Sequence, residues 1–215
     1  MHDWLRVAGK GLLQTALRPH RFMWRLSDRD KGVALTFDDG PHPNCTEPIL
    51  DVLAQYEVKA TFFVIGRNAK AHPDIVRRIV RDGHSIGVHG YEHLDITTLS
   101  QSELEVELDS CRDTIYEITG KKTSLFRPPR GRVDLRSMYA AMRLGYCVCH
   151  WSKTYSDYLQ DGSAPLARRL LTNMPVAKDI ILLHDTNPHT VTALTEILPI
   201  WATRIPFFSS LSHCE

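Results

Sequence analysis

Alternation is the feature that most constrains this chain. From Lys31 onward, short apolar or β-branched runs trade places with segments of helical period. The runs are Val33–Phe37, Ala60–Ile65, Ser85–Val88, Ser124–Arg127, Tyr146–Trp151, Asp179–Leu183 and Pro206–Leu211. Apolar strands separated by helices argue for a parallel sheet covered by helices. An open doubly wound sheet and a closed barrel both satisfy that pattern. Punctuation supports the intervening helices. Thr46-Glu47-Pro48 reads as an N-cap with proline in the first turn, and Pro73-Asp74 opens a second helix with Gly83 past its end. Ser100-Gln101-Ser102-Glu103 has capping-box spacing, and its helix runs to Thr119-Gly120. Further helices are expected over Asp134–Arg143, Pro165–Asn173 and Val191–Thr203.

A chain of 215 residues suits one domain. A net charge of +1 gives no support to a nucleic-acid partner. No run reaches the apolar length of a membrane span. Residues 1–26 mix Trp4, Leu5, Leu12, Leu13, Phe22, Met23 and Trp24 with Arg6, Lys10, Arg18 and Arg21. Those bases interrupt every apolar run, so no secretory core is read there. The segment reads either as a helix packed on the domain or as an amphipathic helix making peripheral membrane contact. The expected place is the cytoplasm, at the inner membrane surface. The five cysteines form no CxxC pair and are read as reduced thiols. Nothing in the sequence sets an oligomeric state.

Ionisable residues gather at one place in each unit. Asp38-Asp39-Gly40-Pro41 closes the first run, His89 the third with His93 following, Arg127-Pro128-Pro129-Arg130-Gly131 the fourth, and His184-Asp185 the sixth. Asp157 follows the Trp151 segment. In parallel α/β folds the carboxyl ends of the strands form the functional face. Adjacent strand residues point to opposite faces, so Asp38 and Asp39 share a site only if the chain bends, and Gly40-Pro41 provides for that. If the H-x3-H segment turns helically, both imidazoles share a face. With Asp39 they make a two-His, one-carboxylate set, which suits a catalytic zinc that keeps a position for water. The prolines after Arg127 make a stiff wall.

These segments resemble a known family. Thr36-Phe37-Asp38-Asp39-Gly40-Pro41, Ala60-Thr61-Phe62-Phe63-Val64-Ile65-Gly66, Gly83-His84-Ser85-Ile86-Gly87-Val88-His89, Phe126-Arg127-Pro128-Pro129 and Ile181-Leu182-Leu183-His184-Asp185 are similar to the motifs, in order, of the polysaccharide deacetylases (NodB homology, carbohydrate esterase family four). The resemblance covers roughly Lys31 to Leu211. It implies an α/β fold, a distorted (β/α) barrel with about seven parallel strands, over residues 31–215. Residues 1–30 are then an N-terminal helical or interfacial extension. It further implies Asp38 as catalytic base, Asp39, His89 and His93 as metal ligands, and His184 as general acid. Arg127 orders the network around the base and Asp157 orients the acid. Leu182 lines the acetyl-methyl pocket, with Ile181 as rival. Pro129, Arg130, Trp151 and Tyr158 fall on the substrate side. The implied cofactor is a divalent metal, Zn²⁺ by default with Co²⁺ or Ni²⁺ as other fits, and the implied substrate an N-acetylated glycan that yields acetate.

Several positions depart from the family pattern. Gly90 stands where a Ser or Thr is frequent, Arg130 where Tyr is usual, and Thr154 and Tyr158 where Asp and Trp often occur. Other readings stay open: hydrolysis of O-acetyl esters or of small cyclic amides, a non-catalytic carbohydrate-binding relative, and a non-haem Fe(II) oxygenase.

Overall fold

A computed structural model of the chain describes residues 21–27, 30–159 and 161–211. The expected amphipathic segment lies outside them except for its last residues. Every ladder of the single eight-stranded sheet is parallel. Its strands are β1 (Phe22–Met23), β2 (Ala34–Asp38), β3 (Thr61–Val64), β4 (Ser85–Val88), β5 (Leu125–Phe126), β6 (Cys147–Cys149), β7 (Lys153–Thr154) and β8 (Ile180–His184). The spatial order is β1-β6-β5-β4-β3-β2-β8-β7. The sheet curls as a distorted barrel, and among the described residues no ladder joins β1 to β7.

The helices are α1 (Thr46–Gln55), α2 (Gly66–Ala71), α3 (Pro73–Arg81), α4 (Gln101–Thr119), α5 (Leu135–Arg143), α6 (Ser163–Thr172) and α7 (Pro188–Arg204). At α4 the capping box forms, and Gly120 closes the helix in the left-handed region at φ 67°. A cap of this kind contributes about 1 kcal/mol. Ile49, Leu50 and Leu53 of α1 are fully buried against the sheet, each stabilising by roughly 1.5–3 kcal/mol.

Some elements differ from expectation. Thr46 is not the N-cap of α1; Cys45 is, without a side-chain bond. The Thr46 hydroxyl instead donates to Asp185 at 2.6 Å and accepts the His42 N–H at 2.8 Å. Pro206–Leu211 forms no strand. It meets the sheet through one bridge, Phe208 to Val33, and through the Leu211 N–H donated to Thr61 Oγ1 at 2.8 Å. Of the cysteines, Cys45, Cys111 and Cys149 are free thiols, but Cys147 is disulfide-bonded. Spacing along the chain does not report which sulfurs meet in space. Cys214 lies outside the described residues.

Two apolar layers flank the sheet. Leu35, Phe37, Ile181 and Leu183 pack into the layer beneath the helices. Ala34, Phe63, Leu125, Cys149 and Ile180 pack into the smaller cluster on the other, concave face. Side chains alternate between faces. Thr36, Asp38, Leu182 and His184 therefore share the concave side with Ala34 and Ile180.

Candidate functional site

Register assembles the rim. Asp38 ends β2 and His184 ends β8, and the two are direct partners in the parallel ladder. Two residues earlier in each strand, Thr36 pairs with Leu182 in the same ladder. That settles the face of Leu182: it sits below His184 on the concave side, whereas Ile181 packs under the helices.

Asp39 reaches the same side because the strand breaks at it. Its φ is 76°, the left-handed region that residues other than glycine rarely adopt. The Asn68 side chain of α2 donates to the Asp39 carbonyl at 2.9 Å and holds this turn. Gly40 is obligatory here. A β-carbon at position 40 would lie 2.1 Å from an Asp185 carboxylate oxygen.

His89 and His93 converge on Asp39 without a helix. The segment is a loop in which Gly90 has φ 80° and His93 φ 63°. The Nε2 atoms of both histidines stand 3.3 Å from Asp39 Oδ1. The Nδ1 of His89 lies 2.8 Å from the Arg127 carbonyl, which accepts its N–H and leaves the Nε2 lone pair facing Asp39. Donor atoms of Asp39, His89 and His93 all lie within 4.8 Å of one another. Asp39 Oδ1 is buried yet has no hydrogen-bond partner. A buried oxygen without a donor, ringed by imidazole nitrogens, fits a divalent cation. Burial works against the Asp39 carboxylate, but His89 and His93 hold its pKa well below the usual range. Burial likewise opposes protonation of His89, yet Asp38 and Asp39 pull its pKa up.

Asp38 sits beside this cradle but is held differently. Arg127, fully buried, donates from Nη1 to Asp38 Oδ1 at 2.7 Å and to Thr36 Oγ1 at 2.6 Å. Its other nitrogens donate to the carbonyls of Cys149 and His150. The guanidinium also lies 4.2 Å from the Phe63 ring centre. Asp38 Oδ2 is left facing the cradle, 3.7 Å from His89 Nε2. Arg127 therefore serves twice, orienting Asp38 with its side chain and His89 with its carbonyl.

On the other flank His184 pairs with Asp157. The ring Nδ1 lies 2.8 Å from Asp157 Oδ1, and the His184 backbone N–H donates to Asp157 Oδ2 at 2.7 Å. Thr190 of α7 donates to the same oxygen at 2.9 Å, and the Asn187 amide donates to the Asp157 carbonyl. Burial lowers the His184 pKa, but Asp157 outweighs it and the value rises to about 9. The imidazole thus carries a proton at neutral pH. Buried Asp185 behaves oppositely: desolvation, with repulsion from Asp39 and Asp38, lifts it to about 7 against the hydroxyl bond from Thr46.

The remaining candidates line the rim. Pro129 is buried and Arg130 exposed, at φ 58° in a short 3₁₀ turn. Trp151 is half-buried and stacks on His150 at 5.0 Å. Gly131 permits this, because a β-carbon there would meet the Trp151 ring at 2.4 Å. Tyr158 is 62% exposed and meets His184 edge-on at 6.4 Å. Sequence patterns assign no role to Thr36, which falls in a motif, or to Asn68 and Thr190, which fall in none. Their partners lie 29 to 145 residues away, beyond the reach of any local spacing.

A cation cradle flanked by a free carboxylate and a protonated His–Asp pair, on the carboxyl rim of a parallel sheet, has the parts of a metal-assisted hydrolase. Comparison with known proteins agrees. The polysaccharide deacetylase family model matches residues 25–149, and the chain belongs to that family. A peptidoglycan-N-acetylglucosamine deacetylase of Bacillus cereus is 34% identical over 194 residues, covering 87% of this chain and 90% of that protein. A chitooligosaccharide deacetylase of Rhizobium leguminosarum bv. trifolii is 32% identical, covering 81% and 87%. The solved structure of Bacillus subtilis PdaA, a family 4 carbohydrate esterase, superposes with a TM-score of 0.83 at 30% identity, covering 93% of this chain and 86% of that one.

Proposed function

We propose that the protein hydrolyses the acetamide of N-acetylated sugars in a polysaccharide or oligosaccharide, releasing acetate and a free amino sugar. The observation that carries this reading is the pairing of Asp38 with His184 across β2 and β8, with the Asp39–His89–His93 cradle beside them. A divalent cation, Zn²⁺ by preference, held by those three residues would supply Lewis acidity toward water and the acetyl carbonyl.

The chain's own groups do the proton work. Asp38 Oδ2 takes a proton from the attacking water as its oxygen bonds to the carbonyl carbon. Arg127 keeps that carboxylate in place through the 2.7 Å bond to Oδ1. His184 donates its Nε2 proton to the sugar nitrogen as the carbon–nitrogen bond breaks, while Nδ1 stays anchored on Asp157. An amine leaves poorly without a proton, and a protonated His184 is placed to supply one. The Arg130 backbone N–H is the candidate donor to the carbonyl oxygen, a role that needs no side chain. Leu182 offers an apolar wall for the acetyl methyl, and Trp151 and Tyr158 offer aromatic faces for the sugar. The exposed Arg130 side chain suits a phosphate or carboxylate on the glycan.

The test is acetate release from N-acetylglucosamine oligomers and from peptidoglycan by metal-stripped protein with Zn²⁺, Co²⁺ or Ni²⁺ added back. No acetate with any of these sinks the reading, as does full turnover in stringently metal-free protein. Residues 1–30 are not wholly a separate extension, since Phe22–Met23 is a strand of the sheet, and the protein's place is proposed as the cytoplasm or the inner membrane surface. Fractionation of the tagged protein decides between them.

A further inference from the structure

We propose that Glu107 is a positioning residue for the second histidine of the cradle, and that Gly90 is a glycine because Glu107 needs its space. This rests on Asp39, His89 and His93 as the cation ligands. The His89–His93 loop is gripped from two sides. On one, the N–H groups of Gly66 and Arg67 at the start of α2 donate to the carbonyls of Gly90 and Tyr91. On the other, Glu107 rises from α4 with its side chain buried. Its Oε1 accepts the N–H of Glu92 at 2.8 Å and of Leu94 at 3.4 Å. Those residues flank His93, which stands at φ 63°. One carboxylate oxygen thus pins the chain on both sides of a ligand in a conformation it would not choose alone.

Gly90 completes the arrangement. Its φ of 80° disfavours any other residue, and a β-carbon there would come 2.7 Å from Glu107 Oε1. A carboxylate from a different element, α4, thus organises the loop.

The experiment measures Zn²⁺ affinity of the metal-stripped full chain by calorimetry with a competing chelator, and activity against Zn²⁺ concentration. Glu107→Ala is expected to bind Zn²⁺ about 10- to 100-fold more weakly, the range for lost support of a ligand, with turnover recovering at high Zn²⁺. Glu107→Gln keeps an acceptor oxygen and is expected to stay within about threefold of the parent. Gly90→Ser is expected to weaken binding too, and the double variant to lose less than the product of the single losses, because one contact is shared. A folded Glu107→Ala protein with parental Zn²⁺ affinity overturns the proposal, and so do multiplicative losses in the double variant. If Glu107→Ala does not fold, Gly90→Ser decides, and parental affinity there is equally fatal. If the parent binds no Zn²⁺, the cradle reading itself fails, and this inference with it.

Discussion

The two flanks of the rim are built on opposite principles. At the Asp157–His184 flank each key group is paired: both carboxylate oxygens of Asp157 accept bonds, and the imidazole is locked and charged. At the Asp39–His89–His93 flank two of the three ligands sit at positive φ, and a buried oxygen has no donor. A finished network positions a proton. An unfinished one, held rigid by its neighbours, suits a cation. Asp38 lies between them, tied to Arg127 and facing both.

The hardest way to break that contrast is to remove one carboxylate at a time. Asp39→Ala is expected to abolish Zn²⁺ binding and with it turnover. Asp38→Asn is expected to keep Zn²⁺ and lose turnover by about 100- to 10,000-fold, the range of a general base. Calorimetry on both variants is the check, and equal loss of metal would dissolve the distinction between the two aspartates.

The acid flank is sharpened by pH. His184 must hold its proton to act, so the rate falls as pH rises through its pKa. Asp157→Asn removes the main attraction that lifts this pKa from 6.5 to about 9, so the alkaline limb of kcat should move down. A bound cation lowers both limbs alike, which makes the shift the readout. Stability follows the same sign. A raised histidine pKa stabilises fully below pH 6.5 and loses that contribution as pH climbs toward 9. An alkaline limb unmoved in Asp157→Asn would assign that limb to another group.

The smallest effect is expected at Thr36, which accepts from Arg127 and donates to the Ile181 carbonyl at 2.6 Å. Thr36→Val leaves a buried guanidinium donor unpaired. It should cost about 1–3 kcal/mol, roughly 2–4 °C in Tm per kcal/mol at this chain length. Melting curves check it, and an unchanged Tm would mean that Arg127 finds another acceptor.

Much of this was legible in the chain. The six runs up to Asp179–Leu183 became strands because each is apolar, short and bounded by turn residues. The α4 caps were readable because Ser100, Glu103 and Gly120 act on their own backbone neighbourhood. Strands β1 and β7 were not read, since Phe22–Met23 falls in the segment expected as an amphipathic helix and Lys153–Thr154 is polar. The H-x3-H spacing singled out His89 and His93 on the expectation of a helix, whereas a loop with positive φ brings them together.

Local chemistry therefore determined the elements and the ionisable residues at their ends, because propensity, capping and alternation act over a few positions. The Asp38–His184 register, the unpaired oxygen of Asp39, the double duty of Arg127 and the grip of Glu107 on the His93 loop belong to the tertiary structure. Each depends on side chains from distant segments meeting at hydrogen-bond range. Only curling the sheet over its packed core sets those distances.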